Sequence, residues 1–518
     1  MGRFDACHRE SASHTSNAPW RGIAVSCCIS MDYRRACHVD GFRFYLRSYL
    51  RPQHLHCLQR MNAPNPNSDT IAAISTPPGR GGIGIVRLSG PQAASIAVQL
   101  VRLRHPLEHA RARLADVADD GAAGETGRID EAVVTLFAAP NSYTSEDLVE
   151  IAAHGSPVVL ELLLGRALGF GARLAEPGEF TQRAYLSGKL DLTQAEAVRD
   201  LIAAQTLTQA RLAASQMGGA LSRRVEPVKT ALIELVALLE AGIDFAEDDI
   251  DVTPQAEIAR CIGELMLPLA ALEASFARGH IVHDGLTLAI VGRPNAGKSS
   301  LFNCLVQRDR AIVTATPGTT RDTVAERISL DGIPLELVDT AGLREAAEEV
   351  EQLGIARSRE AMADAALVIV VLDATEPLND EERRLLAAVE NRPAVVVVNK
   401  SDLVETGRSL PDCGSLPVLA TSALTGEGIH ELRERILLLA TGGAAAEPGM
   451  LTSLRHQQAV AAALAALADA TESNASSIPH EMILLDLYRA LTALDSLTGQ
   501  TTPDDILNLI FSTFCIGK

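Results

Sequence analysis

The stretch LTLAIVGRPNAGKSSLFNCLV, residues 286–306, decides the fold of the central region of this chain. It begins with an apolar run of strand length and ends with apolar residues at helical spacing. Between them, Gly292 to Ser299 matches G-x-x-x-x-G-K-[ST], in which glycines let backbone N–H groups curl around phosphates. In that setting Lys298 places its charge on the β- and γ-phosphate oxygens, and Ser299 ligates Mg²⁺. The stretch therefore predicts a nucleoside triphosphate site between a strand and a helix.

Similar apolar runs follow and alternate with helical or loop segments up to about residue 440: PLELVDT, ALVIVVLDA, AVVVVNK and PVLATSA. This alternation predicts a mostly parallel, doubly wound α/β sheet. Helical spacing precedes the unit from about residue 190 and returns after the linker TGGAAAEPG. We therefore expect the α/β unit to be inserted into one helical domain.

The segment before the helical region has a different pattern. Short alternating runs (TIAAIS, GIGIVRLSG, EAVVTLFAAP and EDLVEIAA) are separated by Gly and Pro turns, which predicts a small α+β domain with a helix at about 155–170. In the helical region, TQAEAVRDLIAAQTLTQARLAAS has the spacing of one helical stretch. Thr253 and Pro254 are typical of an N-cap and a first helical residue, and predict the start of a later helix.

Short motifs after the later strands indicate that the nucleotide is GTP. Asp339 of DTAG is placed to hold the metal through water, and the Gly342 N–H to meet the γ-phosphate. Asp402 of NKSD can accept from both N1–H and the 2-amino group of guanine, a donor pair that adenine lacks. The motif TSAL fits backbone support for the guanine O6. The predicted GTP contacts are Asn295, Ala296, Gly297, Lys298, Ser299, Ser300, Thr314, Thr319, Thr320, Asp339, Thr340, Ala341, Gly342, Asn399, Lys400, Asp402, Ser422, Ala423 and Leu424.

The residues that activate hydrolysis are less obvious. Leu343 occupies the position where regulatory GTPases place a water-orienting Gln, so activation must come from elsewhere. Asn295 and the loop 314–322, rich in hydroxyl and carbonyl groups, can hold a monovalent cation, and Thr320 is the expected switch residue on Mg²⁺. The segment REAAEEVEQ is either an exposed acidic helix start or a source of a water-orienting base. Its candidates are Glu345, Glu348, Glu349 and Glu351.

The first 60 residues differ in composition from the rest of the chain. They contain nine Arg, no Lys, four acidic residues and five of the nine Cys, whereas the remainder carries 37 basic and 61 acidic side chains. We expect residues 1–60 to be an atypical extension, either disordered or the result of an upstream start, with Met61 as the true start. The acidic remainder repels nucleic acid at long range, so an RNA partner must be held by a local basic patch or by a second protein.

The cysteines after residue 60 occur singly, without framework spacing, which favours a reducing cytoplasm. Cys515 stands where a C-a-a-X prenylation signal would place it, but Lys518 is not a usual last residue for that signal and no polybasic run precedes it. Its remaining interpretations are a nucleophile or redox thiol and a packed apolar side chain. No uninterrupted apolar stretch of about 20 residues occurs, so we predict a cytoplasmic protein without a membrane span.

GRPNAGKSS, GTTRD, DTAGLRE, NKSD and the terminal FCIGK occur together with PPGRGGIGIVRLSG near residue 80. In this combination the chain resembles, from about Asp69 to Lys518, the MnmE (TrmE) family of tRNA modification GTPases, of the TrmE-Era-like group. The resemblance implies an N-terminal α+β folate-binding domain that forms a homodimer, a helical domain, and an inserted Ras-like P-loop GTPase domain (the G domain) with the doubly wound sheet. It also implies a heterotetramer with the FAD-dependent protein MnmG (GidA). Together they would add an aminomethyl or carboxymethylaminomethyl group to C5 of the tRNA wobble uridine, with a tetrahydrofolate derivative as one-carbon donor.

The resemblance also implies roles for individual residues. Glu351 corresponds to the family's water-orienting glutamate, and FCIGK becomes a lid that the C-terminal helix carries back toward the folate pocket, with Cys515 an open candidate for catalysis. Each of the implied folate residues has an alternative interpretation that does not depend on the resemblance: Arg87 flanks a strand, Glu150 pairs with a neighbour, and Lys189 lies in a solvated turn. The implied ligand sets are Ser299 and Thr320 for Mg²⁺; Asn295, Thr314, Thr316 and Thr319 for K⁺; and Arg87, Glu150, Lys189 and Lys518 for folate.

These patterns divide the chain into five segments: the extension 1–60, a folate-binding and dimerisation domain 61–188, a first helical segment 189–284, the G domain 285–445, and a second helical segment 446–518 with FCIGK. The alternative function is a non-enzymatic GTP switch in ribosome or RNA assembly, because such proteins share the P-loop and NKSD. That alternative predicts no folate binding and no need for the N-terminal domain.

Overall fold

A computed structural model describes residues 69–118, 127–244, 254–308, 325–339, 362, 365–405, 410–443, 447–499, 507 and 510–517. Several predictions concern positions outside the described residues. These are the extension 1–60 and Thr253, Thr314, Thr316, Thr319, Thr320, Thr340, Ala341, Gly342, Glu345, Glu348, Glu349, Glu351 and Lys518.

The N-terminal domain is a seven-stranded, mostly antiparallel sheet with the order β3-β4-β5-β6-β2-β1-β7. The four predicted runs form β1, β2, β5 and β6, and the predicted helix is α2, whereas β4 and α1 were not predicted. Both helices pack on one face of the sheet through an apolar cluster that includes Val86, Ile96, Val134, Ile151 and Leu163. The elements are β1 Ile71–Ile74, β2 Gly81–Ser89, α1 Ala93–Leu100, β3 Arg102–Leu103, β4 Ala112–Ala118, β5 Arg128–Phe137, β6 Leu148–Gly155, α2 Pro157–Gly169 and β7 Arg173–Leu174.

Helices dominate the segments on both sides of the second sheet. A core of Leu, Val, Ile and Ala side chains joins the long helices that come before this sheet to the two that come after it, as the prediction of one split helical domain requires. The helices are α3 Glu179–Leu186, α4 Leu192–Ala203, α5 Leu207–Met217, α6 Ala220–Asp244, α7 Gln255–Ala274, α8 Phe276–Asp284, α12 Leu454–Ala475 and α13 His480–Thr498.

Two helix predictions need correction. The stretch predicted as one helix is two, α4 and α5, because the chain is extended at Thr206. The Thr206 side chain accepts from the Gln209 N–H and Gln209 bonds back, so a capping box starts a new helix there. The start of α7 lies one residue later than predicted, because Pro254 has an extended ψ of 143° and is itself the N-cap residue.

One described stretch, Gln255–Asp284, is long and apolar enough to cross a membrane by length and composition alone. It is two helices, α7 and α8, separated at Ser275. Ile258, Ile262, Leu265, Leu269 and Leu272 of α7 are buried in the helical core, where α7 packs against α6 and α12. One face of α7 therefore belongs to the core of the helical domain.

A buried polar cluster joins α4 to the second half of the helical region. Arg455 donates from Nε and from a terminal nitrogen to the two Glu196 oxygens, both at 2.8 Å, and His456 Nε2 lies 2.6 Å from Glu196 Oε2. Burial would raise the pKa of Glu196, but the charges and hydrogen bonds of His456 and Arg455 lower it to about 2. The cluster thus ties α4 to α12 through an ion pair.

The second sheet has six strands in the order β13-β12-β11-β8-β10-β9, all parallel except β9. This confirms the predicted mostly parallel sheet, with β9 as an unpredicted antiparallel edge. β8 is central, so the loop after it emerges in the middle of the carboxyl edge, where ligands of such sheets bind. The elements are β8 Leu286–Val291, α9 Lys298–Arg308, β9 Ala325–Leu330, β10 Ile333–Asp339, β11 Leu367–Asp373, α10 Asp380–Val389, β12 Ala394–Asn399, a 3₁₀ turn Ser401–Leu403, β13 Val418–Ala420 and α11 Ile429–Thr441.

Candidate functional site

The P-loop between β8 and α9 can be formed only with glycine at two positions. Gly292 and Gly297 have φ of +149° and +92°. A Cβ at Gly292 would lie 2.3 Å from the Val371 carbonyl oxygen, and one at Gly297 would lie 2.2 Å from Asn399 Nδ2. The loop is therefore pressed against β11 and β12 while it turns into α9, whose N-terminal N–H groups favour an anion.

Lys298 is the cation of this loop. Its ammonium donates to the carbonyl oxygens of Gly292 and Arg293 at 2.7 and 2.8 Å, so the side chain lies back across the loop. Ser299 and Ser300 follow on the first turn of α9 and are exposed. An ammonium, a helix N-terminus and an exposed hydroxyl form a donor set that fits a nucleoside triphosphate with Mg²⁺. Ser299 would hold the metal, which supplies positive charge to the phosphate oxygens.

The backbone places Asp339 beside the same edge. It is the last residue of β10 and pairs in register with Ile290 of β8, one residue before that strand ends.

Of the predicted potassium ligands, Asn295 lies within the described residues. It is exposed and has φ +62°, a left-handed conformation that Asn tolerates better than most residues. The potassium prediction therefore rests on Asn295 alone among the described positions.

The side chain of Asn399 connects the P-loop to the predicted base-binding loops. Its Nδ2 donates to the Ala296 carbonyl at 3.0 Å, and its Oδ1 accepts from the Ala423 N–H at 3.0 Å. The Ser422 hydroxyl donates to Asp402 Oδ1 at 2.6 Å and so fixes the carboxylate predicted to select guanine. Asn399 thus positions the two loops rather than presenting its amide to a base. Leu424, 86% exposed, lies next to them.

A further residue of the site, Asp373, was not predicted from the sequence. Its carboxylate accepts from Lys400 Nζ at 2.7 Å and from the Thr375 hydroxyl at 2.6 Å. Burial would raise the pKa of Asp373, but these bonds and the Lys400 charge lower it to about 2. The ion pair holds Lys400, whose φ of +65° is unusual, at the start of the NKSD turn. The signal was present, because an acidic residue ends the buried strand β11 at the edge where NKSD lies.

The C-terminal tail, residues 514–517, lies against the N-terminal sheet at Arg87. The Gly517 carbonyl accepts from an Arg87 terminal nitrogen at 3.1 Å and from the Ser75 hydroxyl at 3.0 Å. Ile516 forms a β-bridge with Pro177. Phe511, just before the tail, and Phe514, its first residue, pack with side chains of α4. The position of the tail agrees with the lid expected for FCIGK, and Cys515 is exposed there.

Two of the predicted folate residues are partners of each other. Arg87 donates from Nε and a terminal nitrogen to Glu150 Oε1 at 3.0 and 2.7 Å, and the two residues face each other in the β2–β6 register. The guanidinium also lies 5.6 Å from the centre of the Phe180 ring. The alternative in which Glu150 pairs with a neighbour therefore describes the arrangement in this structure.

Lys189 lies at the same end of the N-terminal domain. Its ammonium donates to the Ser142 carbonyl, and Ser142 Oγ is buried without a hydrogen-bond partner among the described residues. Burial raises the pKa of the adjacent Tyr143, and its bond to Thr181 and the charge of Arg87 partly offset this effect. The site thus offers the Glu150 carboxylate, the cations of Arg87 and Lys189, and the Ser142 hydroxyl, which has no partner among the described residues. These groups suit a ligand that carries both amide-type donors and carboxylates, and a folate is such a ligand.

Comparisons with known proteins cover almost all of the described chain. A family model described as "GTP-binding protein TrmE N-terminus" matches residues 70–189, and one described as "MnmE helical domain" matches residues 192–515. The chain is 58% identical over 457 residues to the tRNA modification GTPase MnmE of Koribacter versatilis, covering 87% of this chain and 99% of the relative. The protein of the same name from Chloroflexus aurantiacus is 43% identical over 457 residues, covering 87% of this chain and all of the relative.

Among solved structures, the G domain of the T. maritima FeoB iron transporter aligns with 30% of this chain and 98% of its own length, at 29% identity and a TM-score of 0.23. That score is too low to carry a conclusion. The curated relatives, by contrast, are matched over nearly their whole length at high identity. The chain is therefore a GTP-hydrolysing enzyme and belongs to the MnmE family of tRNA modification GTPases.

Proposed function

We propose that this chain hydrolyses GTP to drive modification of C5 of the wobble uridine in tRNA, by addition of an aminomethyl or carboxymethylaminomethyl group. The observation that carries the proposal is that one chain has a P-loop with guanine-selecting side chains and, on another domain, a second polar site closed by its own C-terminus. A simple GTP switch needs only the first site. The second site is where a one-carbon donor would bind.

The one-carbon donor in this proposal is a tetrahydrofolate derivative, which supplies a methylene group when bound. Arg87, Glu150, Lys189 and Lys518 would hold it, and the tail residues would cover it. The exposed thiol of Cys515 lies in that tail and is a candidate catalytic group. The proposed folate site is supported by the polar groups near Arg87, above all by the buried Ser142 hydroxyl, which has no hydrogen-bond partner among the described residues.

For GTP hydrolysis we propose that Glu351 orients the attacking water, that Ser299 and Thr320 hold Mg²⁺, and that Asn295 with Thr314, Thr316 and Thr319 holds K⁺. Leu343 in the place of a Gln supports an activation route of this kind. Hydrolysis should be faster in K⁺ than in Na⁺ at equal ionic strength. Glu351→Ala should lose most of the rate, and Glu348→Ala, which removes a carboxylate from the same acidic segment, should keep it. Equal rates in both salts would rule out the potassium site.

We further propose that the chain acts in the cytoplasm as a homodimer and forms a heterotetramer with the FAD-dependent protein MnmG (GidA), which would supply flavin and much of the tRNA contact. The acidic body of the chain supports a partner that binds the RNA. On the open face of the N-terminal sheet, Leu114 and Val133 pair across β4 and β5 and are 44% and 41% exposed. That apolar face would suit a self-association surface. Light scattering on the purified chain tests the dimer.

Mass spectrometry of wobble uridines from a strain that lacks this chain tests the function. We expect the modified nucleosides to disappear and to return when the chain is restored, whereas unchanged nucleosides would overturn the proposal.

Titration of 5-formyltetrahydrofolate separates the proposal from a GTP switch in ribosome or RNA assembly, which predicts no folate binding. Wild type should bind and Arg87→Ala should not.

A further inference from the structure

The junction between α4 and α5 contacts the G domain at one point and, at a second point, α8, the helix that leads into the G domain. We call residues 199–209 the elbow. Thr206 Oγ1 donates to the Gly332 carbonyl in the β9–β10 turn at 2.7 Å, and Gln209 Nε2 donates to the His283 carbonyl at 2.6 Å. The contact at the turn is close, because a Cβ on Gly332 would lie 2.0 Å from Thr208 Oγ1. These contacts with the β9–β10 turn tie the position of the elbow to that of the G-domain sheet.

Apolar packing at this junction is sparse. Leu212, Val282 and Ile333 form a small buried cluster, which shares the flanking side chains Ile281 and Leu437 with the larger core of the G domain. Cavities of about 420 and 740 Å³ lie beside it, and Leu212 lines both. Close-packed interiors resist displacement, whereas a small contact between two cavities lets one domain shift against the other. Specific polar contacts must then set the position of the G domain.

A chain of polar contacts runs through the elbow from the C-terminal end to the start of the G domain. Arg199 donates to the Thr513 hydroxyl at 3.2 Å, two residues before Cys515. The same guanidinium donates to Asp200 Oδ1 at 3.0 and 3.1 Å. The other oxygen, Asp200 Oδ2, lies 3.2 Å from His283 Nε2. His283 is the last residue but one of α8, and β8 begins three residues later and ends at the P-loop.

The charges along this path keep its hydrogen bonds and ion pair formed at neutral pH. The hydrogen bond with Asp200 raises the pKa of His283 to about 9, against the effect of burial, so the imidazole is protonated and paired. Asp284 contacts the other ring nitrogen of His283 but does not lie on the path to the tail. The remaining charged groups that line the same cavity come from the G-domain sheet, Arg327 and Glu336.

We propose that the contacts Thr513–Arg199–Asp200–His283 couple the nucleotide state of the G domain to the seating of the C-terminal tail, with Asp200 as the positioning residue. A rotation of the G domain moves His283 and the β9–β10 turn together, and Asp200 passes that movement through Arg199 to the tail. Coupling of this kind is reciprocal, so a ligand that seats the tail also changes nucleotide affinity. The inference goes beyond the proposed function and needs only nucleotide binding and a docked tail.

Alkylation of Cys515 by iodoacetamide in the full-length protein measures the seating of the tail. Site-resolved mass spectrometry gives the rate with GDP and with a non-hydrolysable GTP analogue, and the half-buried Cys261 of α7 serves as reference. In wild type the two rates should differ by about fivefold or more. Asp200→Asn and Thr513→Val should bring the ratio close to one. Asp284→Asn is the matched control, because it removes a charge from the same cavity but leaves the path to the tail intact.

The ratio should also fall toward one as the pH rises through about 9, and it should not respond to pH in His283→Gln. Equal rates in wild type, an undiminished ratio in Thr513→Val, or an equal loss in Asp284→Asn would each overturn the proposal. Thr513→Val decides the matter if Asp200→Asn does not fold. Neither tRNA nor folate enters the experiment, so its failure is distinct from failure of the proposed function.

Discussion

The nucleotide site and the tail site are assembled in different ways. The nucleotide site is formed by loops at the carboxyl edge of one sheet, and its bonds join loops of that single domain, as Asn399 does with Ala296 and Ala423. In the tail site, Ser75 bonds to Gly517, which is 442 positions away in the chain. The first site therefore needs only a folded G domain, whereas the second needs the helical domain to carry the tail to the N-terminal sheet.

This difference shows where each function is vulnerable. Substitutions in the P-loop should abolish hydrolysis without breaking the direct bonds of the tail, because the P-loop bonds to the G-domain strands and the tail bonds to the N-terminal sheet. Substitutions in the helical domain should release the tail and leave the P-loop intact. The elbow is the exception, because it touches both the G domain and the segment that leads to the tail.

The largest effect should follow Lys298→Ala. Loss of the P-loop ammonium removes the charge that would stabilise the transferring phosphate when GTP is bound, so the rate of GTP hydrolysis should fall about 1,000-fold. Folate binding should not change, because the Lys298 ammonium bonds to carbonyl oxygens of its own loop, in a different domain from Arg87. A steady-state GTPase assay and a folate titration on the same preparation check both expectations. A parallel loss of folate binding would contradict the separation of the two sites.

Glu196 should give the helical domain a measurable sensitivity to acid. Its pKa is about 2 in the folded chain against an ordinary value of 4.5, so its contribution is present above pH 4.5 and is lost as the pH falls from 4.5 to 2. The loss amounts to about 3 kcal/mol of unfolding free energy. Denaturant unfolding between these pH values should show a steeper decline for wild type than for Glu196→Gln.

The control for that experiment is Glu226→Gln, which changes an exposed glutamate on α6 and should leave the pH dependence of wild type unaltered. Since Glu196 and the tail contacts share α4, the acid-induced loss should release the tail before it affects the P-loop. An identical pH dependence in wild type and Glu196→Gln would show that the cluster with Arg455 and His456 contributes no such stability.

Gly178→Ala should weaken the docking of the tail, and its free-energy cost should be smaller than that of losing the Glu196 ion pair. A Cβ there would lie 2.7 Å from the Phe511 carbonyl oxygen and 3.0 Å from the Phe514 side chain. Strain and overpacking of about 2 kcal/mol should speed hydrogen exchange in residues 510–517 by about 30-fold. Gly171→Ala is the matched control, because Gly171 also has positive φ but only the Gln92 side chain comes near its Cβ. Equal exchange in both variants would contradict the tail contact.

The smallest effect should come from Thr206→Val. This change removes the bond to Gly332 and the cap of α5, at about 1 kcal/mol of unfolding free energy. Thr206→Ser keeps both bonds and should behave as wild type. Chemical denaturation measures the difference, and a Thr206→Ser variant as unstable as Thr206→Val would assign the effect to lost packing instead.

The sequence predicted the G domain well because its information is local. A strand, a glycine turn and a helix are contiguous in 286–306, and the NKSD and TSAL motifs follow strands directly. The role of Asn399 was not predicted, because its partners Ala296 and Ala423 come from two other loops. Asp373 was missed for a similar reason. It lies in no motif, and its position at the end of a buried strand was its one signal in the sequence; its pairing with Lys400, directly after the next strand of the sheet, shows its role.

The tail site could not be predicted from residue spacing. Arg87 and Glu150 meet because β2 and β6 pair antiparallel across 63 residues, and no periodicity in the chain encodes that partner. Only the resemblance to a family pointed to these residues and to FCIGK. The break between α4 and α5 was visible in principle, because Thr206 and Gln209 have the spacing of a capping box.

One experiment tests most directly the claim that GTP hydrolysis and the tail site serve a single reaction. A strain that lacks the chain is supplied with wild type or with a variant truncated after Thr513, and wobble uridines are measured by mass spectrometry while GTP hydrolysis is measured on the purified proteins. We predict that the truncated chain hydrolyses GTP but restores no C5 modification. Full modification with the truncated chain would contradict the account.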